Sequence, residues 1–155
     1  MIKARKLGHV VLNVSDVKAS RDFYIKVLGL EVAAENETGD AVFLSLGEEH
    51  HDLALFQRAT GARPGKDQPG LIHMAWQLGS FEELQAAYKE LKAEGIEPET
   101  IQHNVTNSLY VADPDGNMIE LYCDRWDGGI EVMRAKGPQR KPLDIETGKV
   151  PADAE

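Results

Sequence analysis

The chain has 155 residues, 42% hydrophobic and 28% charged, which is the profile of one globular domain with a sizeable core. Its 17 Lys and Arg against 26 Asp and Glu leave a net charge of −9, which excludes the overall basic footprint of a general nucleic-acid binder. No apolar run approaches the ~20 residues of a membrane span, MIKARKLGHVVLNV lacks the apolar core of a secretory leader, and the single Cys123 forbids an intramolecular disulfide. A reducing cytoplasm is the expected location.

Residues 7–16, LGHVVLNVSD, open with a β-prone run that predicts a strand over 6–14. Ser15-Asp16 offers an N-cap to a helix in VKASRDFYIKVLG, with apolar Val17, Phe23, Tyr24, Val27 and Leu28 and a terminating Gly29. Three strand-like runs follow at 30–36, 41–47 and 51–57, separated by Glu37-Thr38-Gly39-Asp40 and Gly47-Glu48-Glu49. Residues 58–70, RATGARPGKDQPG, read as a linker.

The plan then repeats. LIHMAWQLGS at 71–80 echoes LGHVVLNVSD, each with Leu-x-His before a β-prone run and a helix start. Ser80 and Glu83 form a capping box for a helix striped by Leu84, Ala87, Tyr88 and Leu91 and ended by Gly95. Strands are expected over 96–103, 107–113 and 117–124, the first demoted by Pro98 to an edge or irregular segment. A turn, Asp113-Pro114-Asp115-Gly116-Asn117, separates the last two. Residues 125–155 are polar, Pro/Gly-spotted and without periodicity, and are expected to be an extended tail, partly ordered at most. The fold class is therefore α/β (α+β). Two tandem β-α-β-β-β modules, 5–57 and 71–124, would form an open barrel-like cup in a single domain over 1–124.

Strand alternation places His9 with Leu7, Val11 and Asn13, His73 with Ala75 and Gln77, and Glu120 with Met118 and Tyr122. Each set faces away from a greasier side that would pack on the helices. One such histidine alone reads as a hydrogen-bonded strand residue. A carboxylate between Ile119 and Leu121, however, is rarely buried without a partner. Two imidazoles at equivalent repeat positions and one carboxylate make up the facial ligand set of non-haem Fe(II) oxygenases, which Mn(II) or Zn(II) can also occupy. Trp76, Phe56, Phe23 and Tyr24 read as core. Glu82, Glu83, Glu90 and Glu94 read as solvated helix surface, and Cys123, on the face opposite Glu120, as an ordinary buried thiol.

With His at the start of each half and Glu near the end, residues 5–124 resemble the vicinal oxygen chelate superfamily, which includes glyoxalases, bleomycin-resistance proteins and dioxygenases. Four segments resemble type I extradiol ring-cleavage (catechol 2,3-) dioxygenases: HDLALF at 51–56, LIHMAW at 71–76, IQH at 101–103 and LYVADPDGNMIELY at 109–122. The resemblance implies His9, His73 and Glu120 as metal ligands, Fe(II) or alternatively Mn(II) as the cofactor, and His51 as the acid–base residue. It implies His103 and Tyr110 as holders of the substrate's hydroxyls, a catechol-type aromatic diol and O2 as substrates, and a homodimer or higher homo-oligomer. The chain departs from the family in having one module pair where many members have two, and Ile72 before His73 where a second histidine is frequent. The loop from His51 to His73 is longer than in the family, and the spacing from His103 to Tyr110 is shorter. His50 is expected to face solvent.

Two other functions remain open on the sequence. A glyoxalase-like lyase, isomerase or epimerase would need a fourth ligand on the strand 51–57. By face that position is Leu53 or Leu55, neither a carboxylate, with Asp52 adjacent. A metal-free, drug-sequestering binding protein would lack the triad.

Overall fold

A computed structural model describes residues 1–62, 64–65 and 67–152, so Arg63 and Lys66 of the expected linker and the last three residues of the expected tail lie outside the described residues. The chain is mixed α+β and divides into two compact units. The first comprises Met1–Gly70 with Asp113–Gly116, and the second Leu71–Ala112 with the residues from Asn117 onward.

The first unit contains β1 (Val10–Asn13), α1 (Val17–Leu28), β2 (Glu31–Glu35), β3 (Ala41–Ser45) and β4 (Leu53–Phe56), with sheet order β1-β4-β3-β2. The strand pairs β3–β4 and β2–β3 are antiparallel, while β1 lies parallel to β4, as a crossover through α1 requires. The Asp16 carboxylate caps α1 by accepting from the Ala19 N–H at 3.0 Å. Gly29 ends the helix at φ 67°, a conformation that glycine adopts without steric cost. Leu12, Val14, Tyr24, Leu30, Leu44, Leu53 and Leu55 are buried in this unit's core.

The second unit contains β5 (His73–Gln77), α2 (Phe81–Ala93), β6 (Glu99–Gln102), β7 (Thr106–Ala112), β8 (Met118–Asp124), α3 (Gly129–Lys136) and β9 (Lys141–Pro142), with sheet order β5-β8-β7-β6-β9. The capping box at α2 forms with one change. The Glu83 N–H donates to Ser80 Oγ at 3.2 Å, but the Glu83 carboxylate reaches past Ser80 to accept from the Gly79 N–H at 2.7 Å. Leu84, Leu91, Leu109, Val111, Ile119, Leu121 and Cys123 are buried.

The described part of the expected tail, 125–152, departs from an extended form. It builds α3 and then β9, which pairs with β6 through Ile101↔Pro142 and Gln102↔Lys141. Leu143 and Ile145 are buried behind it. The physical reason is the open edge of β6, whose unpaired backbone groups otherwise face water. The alternating pair Leu143 and Ile145 is the strand-like signal in that polar stretch. Among the described residues no helix is long and apolar enough to cross a membrane.

Candidate functional site

In the second unit, register builds the site. Parallel pairing sets His73 against Met118 and Ala75 against Glu120, while antiparallel pairing sets Tyr110 against Glu120. His73, Glu120 and Tyr110 therefore project from one face of three adjacent strands. Met74, Ile119, Leu121, Leu109 and Val111 occupy the other face. The faces predicted from alternation for His73 and Glu120 are those observed.

Glu120 is only 7% exposed, and a buried carboxylate requires partners. His73 Nε2 stands 3.0 Å from its Oε2, and His103 Nε2 stands 3.9 Å from its Oε1. His103 Nδ1 lies 2.6 Å from the Gln139 carbonyl, and its Nε2 lies 2.9 Å from the Tyr110 hydroxyl. A carbonyl only accepts, so the His103 Nδ1–H donates to Gln139, while Nε2 shares a hydrogen bond with the Tyr110 hydroxyl. Burial, a hydrogen bond to Glu120 and the carboxylate's charge all push the Tyr110 phenol well above its ordinary value. Tyr110 thus keeps its proton at neutral pH, between the Glu120 carboxylate and His103 Nε2.

The open face of this sheet floors a cavity of about 1030 Å³ lined by Ala75, Gln77, Glu120 and Tyr122, with the Arg125–Met133 segment as a wall. The start of the expected tail thus contributes directly to the cavity. Trp126 is tied to the loop after β6 by its Nε1–H, which donates to the Asn104 carbonyl at 2.8 Å.

In the first unit, His9 stands one residue before β1, and His50 and His51 lie in the turn before β4. His9 and His51 sit just outside the observed strands, although the expected strands 6–14 and 51–57 included them. The His9 and His51 rings are 4.2 Å apart, and His51 packs edge-on to Phe43 at 5.3 Å. His50 is exposed, as expected, although its Nδ1 lies 2.5 Å from that of His51. Partial burial and the neighbouring His9 and His50 lower the His51 pKa, favouring the neutral ring. The register of β4 also corrects one expected face. Leu53 and Leu55 pair with Val10 and Leu12 and are buried, leaving Ala54 and Phe56 level with Val11 and Asn13. No carboxylate stands at either pair of positions for a fourth metal ligand.

Among the described residues no group of three or more His, Cys, Asp or Glu is gathered closely enough to hold a metal ion. The pair His73–Glu120 does suit one. Two donors each about 2.1 Å from one ion and at right angles are about 3.0 Å apart, and the observed separation is 3.0 Å. Imidazole nitrogen with carboxylate oxygen is also a donor chemistry that Fe(II), Mn(II) and Zn(II) accept.

Sequence reasoning missed the anchor of the signature turn. Asp113 accepts from the Tyr24 hydroxyl at 2.9 Å, and Asp115 accepts from the Ser15 N–H at 2.9 Å. Tyr24 is fully buried, as its place in the apolar stripe of the helix predicts. The unusual density of acids in Asp113-Pro114-Asp115 is the signal that could have pointed to partners.

A relative from Rhodococcus globerulus named biphenyl-2,3-diol 1,2-dioxygenase 2 is 40% identical over 142 residues, covering 90% of this chain and 74% of its own length. A second from the same organism, biphenyl-2,3-diol 1,2-dioxygenase 3, is 41% identical over 78% of this chain and 64% of its own. A relative from Geobacillus genomosp. 3, named manganese-dependent 2,3-dihydroxybiphenyl 1,2-dioxygenase, is 29% identical over 88% of this chain and 40% of its own. This chain therefore spans about two thirds to three quarters of the first two and well under half of the third. Among solved structures, a glyoxalase/dioxygenase from Nostoc punctiforme matches with a TM-score of 0.65 and 26% identity, over 81% of this chain and 98% of that one. The family model described as Glyoxalase/Bleomycin resistance protein/Dioxygenase superfamily matches residues 6–121. With three quarters of its length inside that match, the chain belongs to this superfamily.

Proposed function

We propose that this protein is a metal-dependent extradiol ring-cleavage dioxygenase, cytoplasmic and homodimeric, that opens a catechol-type aromatic diol with O2. In the overall reaction both oxygen atoms enter the product as the ring carbon–carbon bond beside one hydroxyl breaks. The observation that carries this reading is the Glu120 constellation, in which one buried carboxylate faces His73, His103 and a protonated Tyr110. The R. globerulus relatives, named for the same class of reaction, support it. The proposed domain is 1–124, with 125–155 as its C-terminal tail.

His9, His73 and Glu120 are the proposed metal ligands. His9 immediately precedes β1 as His73 opens β5, so the two histidines hold matching places in the repeat. Fe(II) is the proposed ion and Mn(II) the alternative. When bound, it supplies open positions for the diol oxygens and O2. Tyr110, which stays protonated, and His103, hydrogen-bonded to its hydroxyl, are the proposed holders of the diol's hydroxyls. His51, in the neutral form favoured by its surroundings, takes a proton from the diol and returns it later.

The test is anaerobic purification with metal analysis, followed by O2 uptake on a panel of catechols that includes biphenyl-2,3-diol. The expected result is about one Fe or Mn per chain with stoichiometric O2 consumption and a yellow ring-opened product. Metal without O2 uptake would point to a lyase or epimerase. No metal after Fe(II) is offered would overturn the triad and leave a binding protein.

A further inference from the structure

The short helix α3 has an unusual surface. None of its eight residues is buried, although a helix on a folded domain normally turns its apolar stripe inward. Ile130 and Met133, one turn apart, are 57% and 40% exposed, and Trp126 just before the helix is 46% exposed. All three line the cavity that has Glu120 on its floor. A group of large apolar side chains left open beside a few polar groups is the usual composition of a small-molecule site.

Two further observations point the same way. The cavity, about 1030 Å³, matches pockets that hold a drug-sized ligand, roughly 300–1,000 Å³, and far exceeds one catechol ring. The wall is also held in place before any ligand arrives. The Trp126 Nε1–H donates to the Asn104 carbonyl, the Asn104 side chain donates to the Gly137 carbonyl at 2.8 Å, and Arg125 donates to the His103 carbonyl at 2.7 Å. These bonds pin both ends of α3 to the His103-Asn104 corner, so little ordering cost falls on binding.

We infer that Trp126, Ile130 and Met133 form an apolar wall that receives a ring or alkyl substituent on the diol, and that they set a preference for substituted diols over catechol itself. This rests on the proposed dioxygenase reading for its substrate class. The polar end of the ligand sits over Glu120, the register partner of Tyr110, and the substituent lies along α3. The C-terminal segment is thereby a specificity element, outside the β-α-β-β-β repeat that carries the proposed metal ligands.

The experiment compares kcat/KM for 3-phenylcatechol and for catechol in the wild type and in an Ile130→Ala/Met133→Ala double variant. Both positions are exposed, so folding is not at stake. The ratio is expected to favour 3-phenylcatechol in the wild type and to fall about tenfold or more in the variant. A second readout needs no turnover: anaerobic titration with 3-phenylcatechol, followed by tryptophan fluorescence. Quenching is expected in the wild type, its midpoint should rise about tenfold in the double variant, and Trp126→Phe should abolish most of the signal. A ratio and a midpoint both unchanged within about twofold, below the smallest effect a lost pocket contact should have, would overturn the wall. So would a double variant that alters only the oligomeric state. If neither diol is consumed, the dioxygenase reading fails, and the titration alone decides the wall.

Discussion

Both ring nitrogens of His103 have partners within the second unit, with Nδ1 2.6 Å from the Gln139 carbonyl and Nε2 2.9 Å from the Tyr110 hydroxyl. His103 therefore links the C-terminal segment to the phenol above Glu120. Tyr110→Phe removes one charge-facing hydrogen bond and leaves the tie to Gln139 intact. It is expected to lower kcat/KM about 10–100-fold. His103→Ala should lower it at least as far and also free the 137–139 segment. Trypsin cleavage near Lys136 and Arg140 should then accelerate in His103→Ala but not in Tyr110→Phe. Equal proteolysis in both would mean that His103 does not anchor the segment.

The proposed ligands and the proposed acid–base residue separate by metal content. His73→Ala and Glu120→Ala are expected to lose the metal outright, because each removes one of three donors. His51→Phe should keep the metal and lose turnover by about 10²–10⁴-fold. The measurement is metal per chain by elemental analysis beside O2 uptake. Retained metal in Glu120→Ala would remove that carboxylate from the site.

Tyr24→Phe tests the anchor of the Asp113 turn. Removing the donor to a buried carboxylate is expected to cost about 1–3 kcal/mol in urea denaturation at pH 7. Burial and the adjacent Asp113 charge raise the Tyr24 phenol well above its ordinary value of 10.0. Above that pH the unfolded chain loses the phenolic proton while the native chain keeps it, so stability falls as pH rises past 10. The alkaline slope should be shallower in Tyr24→Phe, and an identical slope would show that Tyr24 does not titrate on unfolding.

Cys123 is buried on the helix side of the sheet, and burial raises its thiol above the ordinary range. Thiolate is the reactive species. A disulfide reagent at pH 8 is therefore expected to label the native protein far more slowly than the protein in denaturant. Rapid native labelling would show that β8 opens readily.

Much of the site is legible before any coordinates, because strand alternation is a local rule. Parity and the greasier side of each strand put His73 and Glu120 on the same kind of face, and the structure places them 3.0 Å apart. Parity needs a strand, however, and it failed where the chain had already left one. His9 and His51 lie just outside β1 and β4, and the register of β4 sets Ala54 and Phe56, not Leu53 and Leu55, level with Val11 and Asn13. The C-terminal segment failed for another reason. Its strand pairs with β6 some 40 positions earlier, and a two-residue strand has no periodicity to detect.

By itself the sequence determined the two β-α-β-β-β repeats, the caps at Asp16, Ser80 and Gly29, the family resemblance and the residue types of the site. Each is encoded within a few residues, through backbone preference, capping chemistry and side-chain period. Tertiary structure alone decided the 2.9 Å bond from His103 to Tyr110, the Tyr24 anchor on Asp113 and the apolar wall of α3. Those contacts join strand to loop, helix to turn and tail to sheet, and only pairing register and the cover of an open sheet edge bring such distant residues together.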